Sequence, residues 1–409
     1  MMNGKVIVLG VTGGIAAYKA AELVRLFVKG GAEVHVLMTA SARQFVTPLT
    51  FQTLSRNPVH TDLFNCIEEQ EIGHISLADR ADLMVIAPAT ANTIGKIASG
   101  IADDLLTTTV MATKAPVLIA PAMNANMYMN PLYRLNEDRL RDHGYLFVDP
   151  VKGMLACGWE GEGKFQEPAI IYQEALSALT GKDLCGEKLL VTAGPTREEL
   201  DPVRYLSNHS SGKMGYAIAR AARRRGAEVV LVSGPVCLEP PFGVQTIQVI
   251  SAAEMAEAAL REFADATMIV KAAAVADYRP EIRADAKMKK KGASLTLALT
   301  QNIDILAEMG KIKEERILVG FAAETAALVE NSLTKLREKN LDLLIANDVT
   351  QEGAGFSVDT NIVKILSPDG SMEDCPLMDK ELLADIILDR ILAVRDQKRG
   401  RGRKEDLRS

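Results

Sequence analysis

The sequence predicts an α/β protein made of two Rossmann-like, three-layer domains in tandem. Three observations carry this. Short Val/Ile/Leu runs alternate with amphipathic helical patterns, the signature of parallel βαβ units. A strand that runs into a glycine-rich turn and then a helix occurs twice, opening at Lys5 and again at Lys188. The chain has 409 residues, enough for two or three domains of about 100–200 residues each.

In the first half, residues 5–9 form a buried strand, 15–29 an amphipathic helix and 33–38 a second strand. Further strands are predicted at 83–87, 117–120 and 145–148, with helices at 131–143 and 169–179. The pattern restarts after the polar, turn-rich stretch 180–186. A strand from 188 enters the second Gly turn, and others follow at 228–233, 268–271, 317–321 and 343–346. Helices are placed at 216–225, 252–264 and 325–339. This puts one domain over 1–182 and a second over 187–397, followed by a basic, disordered tail over 398–409. Segment 279–292, rich in Lys, Arg and Asp and carrying Pro280, reads as a mobile loop.

Composition narrows the function. With 48% hydrophobic and 24% charged residues the chain is globular rather than disordered. Lys and Arg total 47 against 53 Asp and Glu, a net charge of −6. That argues against a nucleic-acid partner held by phosphate neutralisation. The five cysteines are odd in number, widely spaced and without a Cys-x-x-Cys pair. This disfavours a disulfide framework or structural zinc and fits a reducing compartment. No secretory signal or apolar run of about 18 residues is seen, so a cytoplasmic protein without a membrane partner is expected.

The turn Gly10-Val-Thr-Gly-Gly-Ile lets backbone amides approach a phosphate at a helix start. It is not Gly-x-Gly-x-x-Gly, and no acidic residue ends the second strand. A mononucleotide such as FMN therefore fits better than a nicotinamide dinucleotide. The alternative is a tight turn with no ligand. Thr39, Ser41, Thr90 and Asn92 gather at other strand ends, where open α/β sheets bind ligands, and Asp104 opens a helix. Pro121-Ala-Met-Asn-Ala-Asn-Met-Tyr places two Asn and two Met just past a strand. Asn124 reads either as a partner for a carboxylate or flavin carbonyl, or as a helix cap. A lone His74 is more often structural than catalytic. Cys157 sits beside the only Trp in a Gly-rich segment, a flexible flap where a thiol is open to reaction.

These residues together resemble the flavin-dependent cysteine decarboxylases, specifically the phosphopantothenoylcysteine decarboxylase family, over about residues 1–180. Tyr128 stands where that family's segment usually ends in Trp. The resemblance implies FMN contacts at Gly13, Gly14, Ile15, Thr39, Ser41, Ala87, Thr90, Asn92 and Met123. It also implies that Asn124 binds the substrate carboxylate, His74 assists oxidation and Cys157 supplies a proton in the reductive step. A thiol suits that last role, since its pKa of about 8.5 keeps it protonated at neutral pH.

In the second half, Ser210-Ser-Gly-Lys precedes a helix and makes another anion-binding start, without Walker A spacing. The bland alternative is a Ser-capped helix with Lys213 solvated. Ala272-Ala-Ala-Val-Ala-Asp-Tyr follows a strand with small residues, and Asp277 there suits a base, a sugar or a metal. Phe321 ends a strand where it could stack on a base. Lys335 and Lys339 share one helix face. This constellation resembles the CTP-using phosphopantothenate–cysteine ligases. Both halves in this order resemble the bifunctional bacterial enzymes of coenzyme A biosynthesis over nearly the whole chain.

The resemblance implies an acyl-cytidylate formed from 4′-phosphopantothenate and CTP, then displacement of CMP by cysteine. Lys287 would promote cytidylate formation and Asn208 hold the intermediate. Ala273, Asp277, Lys287, Asn302, Ile303, Asp304, Ile305, Leu306, Phe321, Lys335 and Lys339 would contact CTP, with Mg²⁺ carried mainly by its phosphates. A homo-oligomer with trimeric flavin domains and dimerised ligase domains is expected. Competing readings are a flavin prenyltransferase-like first half, a non-catalytic regulatory homologue, and a two-domain dehydrogenase.

Overall fold

The structure is a computed structural model that describes residues 2–63, 73–154, 158, 160–289, 295–324, 328–348, 353, 355 and 357–406. The chain divides into two compact units, residues 1–180 and 181–409. In the first, β1 (Val6–Val11), β2 (Glu33–Met38), β3 (Val59–His60), β4 (Leu83–Ala89), β5 (Val117–Pro121) and β6 (Leu146–Phe147) form a parallel sheet. Their order is β3-β2-β1-β4-β5-β6, so the chain reverses direction across the sheet at β1. Ile7, Leu9 and Val11 pack on one face with Leu23, Phe27 and Ile171, while Val8 packs on the other with Ile94 and Leu106. A strand covered on both faces has to be apolar at consecutive positions, which is why β1 and β4 read as unbroken apolar runs.

The predicted helix over 15–29 is a 3₁₀ turn, Ile15–Lys19, followed by an α-helix, Ala20–Lys29. Asp104 caps the helix Leu105–Ala112 with a reciprocal capping box, accepting from the Thr107 backbone N–H at 2.8 Å. The segment read as a flexible flap has ordered arms: β7 (Val151–Met154) pairs antiparallel with β8 (Glu160–Lys164). Its glycines and charges hide this, because the ladder needs only backbone groups.

The second unit contains β9 (Lys188–Ala193), β10 (Arg197–Glu199), β11 (Tyr205–Ser207), β12 (Glu228–Ser233), β13 (Gln245–Gln248) and β14 (Met268–Lys271). It continues with β15 (Tyr278–Pro280), β16 (Leu299–Gln301), β17 (Ile317–Glu324), β18 (Leu343–Asp348), β19 (Thr360–Leu366) and β20 (Met372–Asp379). The main sheet runs β13-β12-β9-β14-β17-β18-β19-β20. It is parallel as far as β18 and antiparallel at the β19–β20 edge. Alternating residues again feed two cores, one on each face.

Segment 279–292, read from sequence as a mobile loop, is tied down where it is described. β15 pairs with β16, Ala284 N–H donates to Leu200 O at 3.0 Å, and Met288 N–H donates to Asp201 Oδ2 at 3.1 Å. The tail is a second correction. The last helix runs from Lys380 to Asp406 rather than giving way to disorder at 398. The reason is ionic: Lys398 pairs with Asp342 at 3.0 Å and Arg399 with Glu187 at 2.7 Å, and both carboxylates are buried. Each carboxylate already holds one other cation, Lys313 and Arg395 respectively. Among the described residues no helix is long and apolar enough to cross a membrane.

Ending the chain at Gln397 therefore takes one of two cations from each buried carboxylate. The expected loss is about 1 kcal/mol in the unfolding of the second unit, read by urea titration. No change in midpoint would mean that the last turns only fray.

Candidate active sites

A cavity of about 460 Å³ in the first unit lies past the ends of β1, β4 and β5 and under the β7–β8 hairpin. Two bonds lace the strand-end loops together. Thr12 Oγ1 donates to Pro88 O at 2.7 Å and accepts from the Thr90 N–H at 3.0 Å. Gly14 faces open space, its nearest neighbour being Thr90 Cγ2 at 3.9 Å from where a Cβ would stand. Asn124 caps the short helix Ala125–Tyr128, its Oδ1 accepting from Asn126 N–H at 2.9 Å, and it also lines the cavity. The cap and the ligand readings of Asn124 are thus compatible. Gly163 lets the hairpin lie on residues 123 and 124: the Met123 N–H donates to its carbonyl at 3.0 Å. At φ +130 a Cβ there would meet Met123 O at 2.4 Å.

Of the residues the sequence assigned to this site, Gly13, Gly14, Ile15, Thr90, Met123 and Asn124 line the cavity. Thr39, Ser41, Ala87 and Asn92 do not. Ser41 packs against Gly13, Thr39 Oγ1 accepts from Ala42 N–H at 3.2 Å, Ala87 is buried in the sheet, and Asn92 is exposed on its helix. His74 stands on the helix Gly73–Arg80, outside the lining, with its Nδ1 buried and unpartnered among the described residues. Cys157 lies outside the described residues. The sequence reading missed Tyr18, Lys19, Met127, Met154, Lys164 and Phe165. The available signals were the helical step from Ile15 to Tyr18 and Lys19, and the place of Met127 in the Pro121–Tyr128 segment. Apolar walls, two ammonium groups and the polar Thr90 and Asn124 suit a flat ring bearing a phosphate.

The second cavity, about 400 Å³, lies at the carboxyl ends of β14, β17 and β18 and before the helix Lys213–Arg224. Gly212 caps that helix at φ 78, a left-handed conformation, and a Cβ on it would meet Val236 Cγ1 at 2.8 Å. Asn208 Nδ2 donates to Ala274 O at 2.9 Å. Five lysines line the space: Lys213, Lys271, Lys335, Lys339 and Lys380. Lys213 pairs with Asp359 and Lys339 with Asp304, each at 2.7 Å. Lys380 donates to Val358 O and Gly355 O. Burial, reinforced by repulsion from Lys339, pushes the Lys271 pKa down to about 8 against the pull of Asp304 and Asp277. Burial works against the charge on Asp304, yet the hydrogen bond from Lys339 and that from Ala307 N–H hold its carboxyl below the usual range.

Of the residues the sequence assigned to the ligase site, Asn208, Ala273, Asp277, Leu306, Phe321, Lys335 and Lys339 line this cavity. The other five, Lys287, Asn302, Ile303, Asp304 and Ile305, do not line it. Asn302 is buried and bonds Ala276 O and Arg279, Ile303 is exposed, Ile305 packs in the core, and Lys287 is exposed. Asp304 reaches the site only through its pair with Lys339. Lys271, Lys380 and Asn361 were not foreseen; a lysine ending an apolar strand reads as a strand terminator. Among the described residues no group of three or more His, Cys, Asp or Glu is placed to hold a metal.

Residues 1–179 match the flavoprotein family, and 184–394 match the family described as DNA/pantothenate metabolism flavoprotein C-terminal domain. The chain is 50% identical over 401 residues to coenzyme A biosynthesis bifunctional protein CoaBC of Bacillus subtilis (strain 168), covering 97% of this chain and 99% of that one. It is 46% identical over 405 residues to the protein of that name in Escherichia coli (strain K12), covering 98% and 100%. The chain belongs to the CoaBC family. Among solved structures, it is similar to the C-terminal domain of a CoaBC protein at 42% identity, covering 53% of this chain and all of that one, with a TM-score of 0.46. It is also similar to the FMN-binding protein AtHal3 at 35% identity, covering 42% and 94%, with a TM-score of 0.37.

As a CoaBC family member the chain is a bifunctional enzyme of coenzyme A biosynthesis, a flavoprotein decarboxylase followed by a ligase. The dehydrogenase, prenyltransferase and regulatory readings fall away. Gly163→Ala should keep the sheet intact but force the hairpin off residues 123 and 124, a local strain of about 1–3 kcal/mol. Flavin retention, read by absorbance after gel filtration, should fall about tenfold or more. Full retention would mean that the hairpin plays no part in closing the site.

Proposed function

We propose that the two cavities are the active sites of the two steps: CTP-dependent ligation of cysteine to 4′-phosphopantothenate, and FMN-dependent decarboxylation of the product. The observation that carries the ligase reading is the convergence of five lysines with Asn208 at one strand-end cavity. The first ligase step brings a carboxylate to the α-phosphate of CTP, and the pyrophosphate leaves. Two anions approach only where fixed cations offset their repulsion. Lys213 and Lys380 are held in place by acceptors before any substrate arrives. The helix start at Gly212 and Lys213 suits the triphosphate. Asn208, fixed by Ala274 O, suits the acyl-cytidylate, which the cysteine amine then opens with loss of CMP. Mg²⁺ is proposed to arrive on the phosphates, with Asp277 the one carboxylate among the described residues of the lining to meet it. Lys287 is proposed to promote cytidylate formation. It sits in an exposed segment whose neighbour Met288 is bonded to Asp201 and Arg204, so its role requires closure on substrate.

In the first cavity FMN, when bound, accepts two electrons from the substrate's CH₂–SH and later returns them. The thioaldehyde formed places a C=S group β to the carboxylate, so loss of CO₂ leaves a stabilised enethiolate. Asn124 is proposed to bind the carboxylate, with Gly13, Gly14, Thr90 and Met123 against the cofactor. Cys157 is proposed to protonate the enethiolate carbon. His74 is proposed as the base of the oxidative step. Its helix does not line the cavity of its own chain, so that role calls for the cavity of a second copy. A homo-oligomer fits this, and the exposed Met129, Leu132 and Leu135 offer it an apolar surface.

Two variants test the assignment. Lys287→Gln should abolish CMP release while leaving decarboxylation of supplied phosphopantothenoylcysteine intact; joint loss in a folded protein contradicts separate sites. Cys157→Ser should still release CO₂ in an anaerobic single turnover but accumulate the enethiol, because a serine hydroxyl is a far weaker acid. Saturated product formed at an undiminished rate removes Cys157 from the mechanism.

A further inference from the structure

Lys271 differs from the other ammonium groups of the second cavity. Lys213, Lys339 and Lys380 each have a carboxylate or carbonyl partner, and Lys335 is also engaged. Lys271 has no hydrogen bond or ion pair among the described residues. It ends β14 at the centre of the sheet, in register with Thr192 on one side and Gly320 on the other. Register partners in parallel strands point to the same face. Beside the ammonium stem, therefore, lies the space above Gly320. A Cβ on Gly320 would meet Leu306 Cδ2 at 2.8 Å, Leu341 Cδ1 at 2.9 Å and Leu344 Cδ1 at 3.1 Å. Three leucines thus converge on the glycine, all on this face of the sheet, and form an apolar wall next to a cation that lacks an acceptor.

Lys271 is half-buried and lines the cavity, and no acceptor of the described residues meets its ammonium group, so the occupant of this corner can bring one. A triphosphate would fit an apolar wall poorly, and the helix start with Lys213 already suits it. A flat ring with carbonyl and ring-nitrogen acceptors on one edge meets both demands. We infer that Lys271 is the specificity residue that donates to the O2/N3 edge of the cytosine base, on an apolar wall made by Leu306, Leu341 and Leu344. This rests on the CTP reading of the cavity. Uracil turns N3 into a donor, which an ammonium opposes, so Lys271 would favour CTP over UTP.

The charges facing Lys271 are Lys339 and Asp304, which pair with each other, together with Asp277 and Lys335. In the free protein Lys271 titrates near 8. A bound acceptor raises that value, so the stabilisation is complete below about pH 8 and fades above it.

The test is calorimetric titration of the full chain with CTP and with UTP. Lys271→Met should weaken CTP binding at least about tenfold and UTP binding much less, shrinking the preference. A folded Lys271→Met protein that keeps the wild-type preference overturns the assignment while leaving the CTP site standing. A wild-type chain that binds neither nucleotide overturns the reading beneath it. Should that variant fail to fold, Lys271→Gln, which removes the charge but keeps a polar group, should also weaken CTP binding and narrow the preference over UTP, and an unchanged preference overturns the inference.

Discussion

Burial of a parallel sheet on both faces is the constraint from which both sites follow. Fully burying a Leu, Ile or Val side chain is worth about 1.5–3 kcal/mol, so no central position of β1, β4, β9 or β14 can exchange its apolar side chain for a reactive one cheaply. Chemistry is pushed to the strand ends, where the chain turns and backbone amides are free. Gly14, Thr90 and Asn124 stand just past three neighbouring strands of the first unit. In the second unit Asn208 follows β11, Asp277 lies beyond β14 and Phe321 stands in the last half of β17, and all three line the cavity. In each unit the site forms beside the first strand, where the order of the sheet reverses, as expected for open α/β sheets.

That constraint also decides what the sequence makes legible. A central strand such as Glu228–Ser233 declares itself because it has to be apolar at each step, and its bounds are read correctly. Hairpin arms such as Val151–Met154 and Glu160–Lys164 are held by backbone ladders and carry glycine and charge, so they offer no periodic signal. The last helix hides for a different reason. Lys398 and Arg399 look like a solvated charge run until Asp342 and Glu187, remote in sequence, are brought beneath them.

The candidate sites follow the same rule. Asn124 and Asn208 were legible because Asn just past a strand has a local meaning. Ile305, assigned to ligand contact, does not line the cavity, because its side chain is needed by the core. Asn302 does not line it either, its amide being engaged by Ala276 O and Arg279. Lys271 went unseen because its meaning depends on a glycine some fifty residues later, Gly320, leaving room for three leucines beside it.

The two cavities are also matched to the charge changes of their reactions. Ligation brings a carboxylate against a triphosphate, and its cavity is built around cations fixed by Asp359, Asp304 and backbone carbonyls. Those acceptors offset the mutual repulsion of the lysines in the empty site, so substrate anions meet charges that are already oriented. The decarboxylation proposed for the first cavity removes a carboxylate as neutral CO₂ rather than bringing two anions together. Its cavity is correspondingly apolar, walled by Ile15, Tyr18, Met127, Met154 and Phe165, with Lys19 and Lys164 as its ammonium groups. One architecture thus serves both reactions because the sheet fixes where the site lies, while the side chains past each strand end fix its electrostatics.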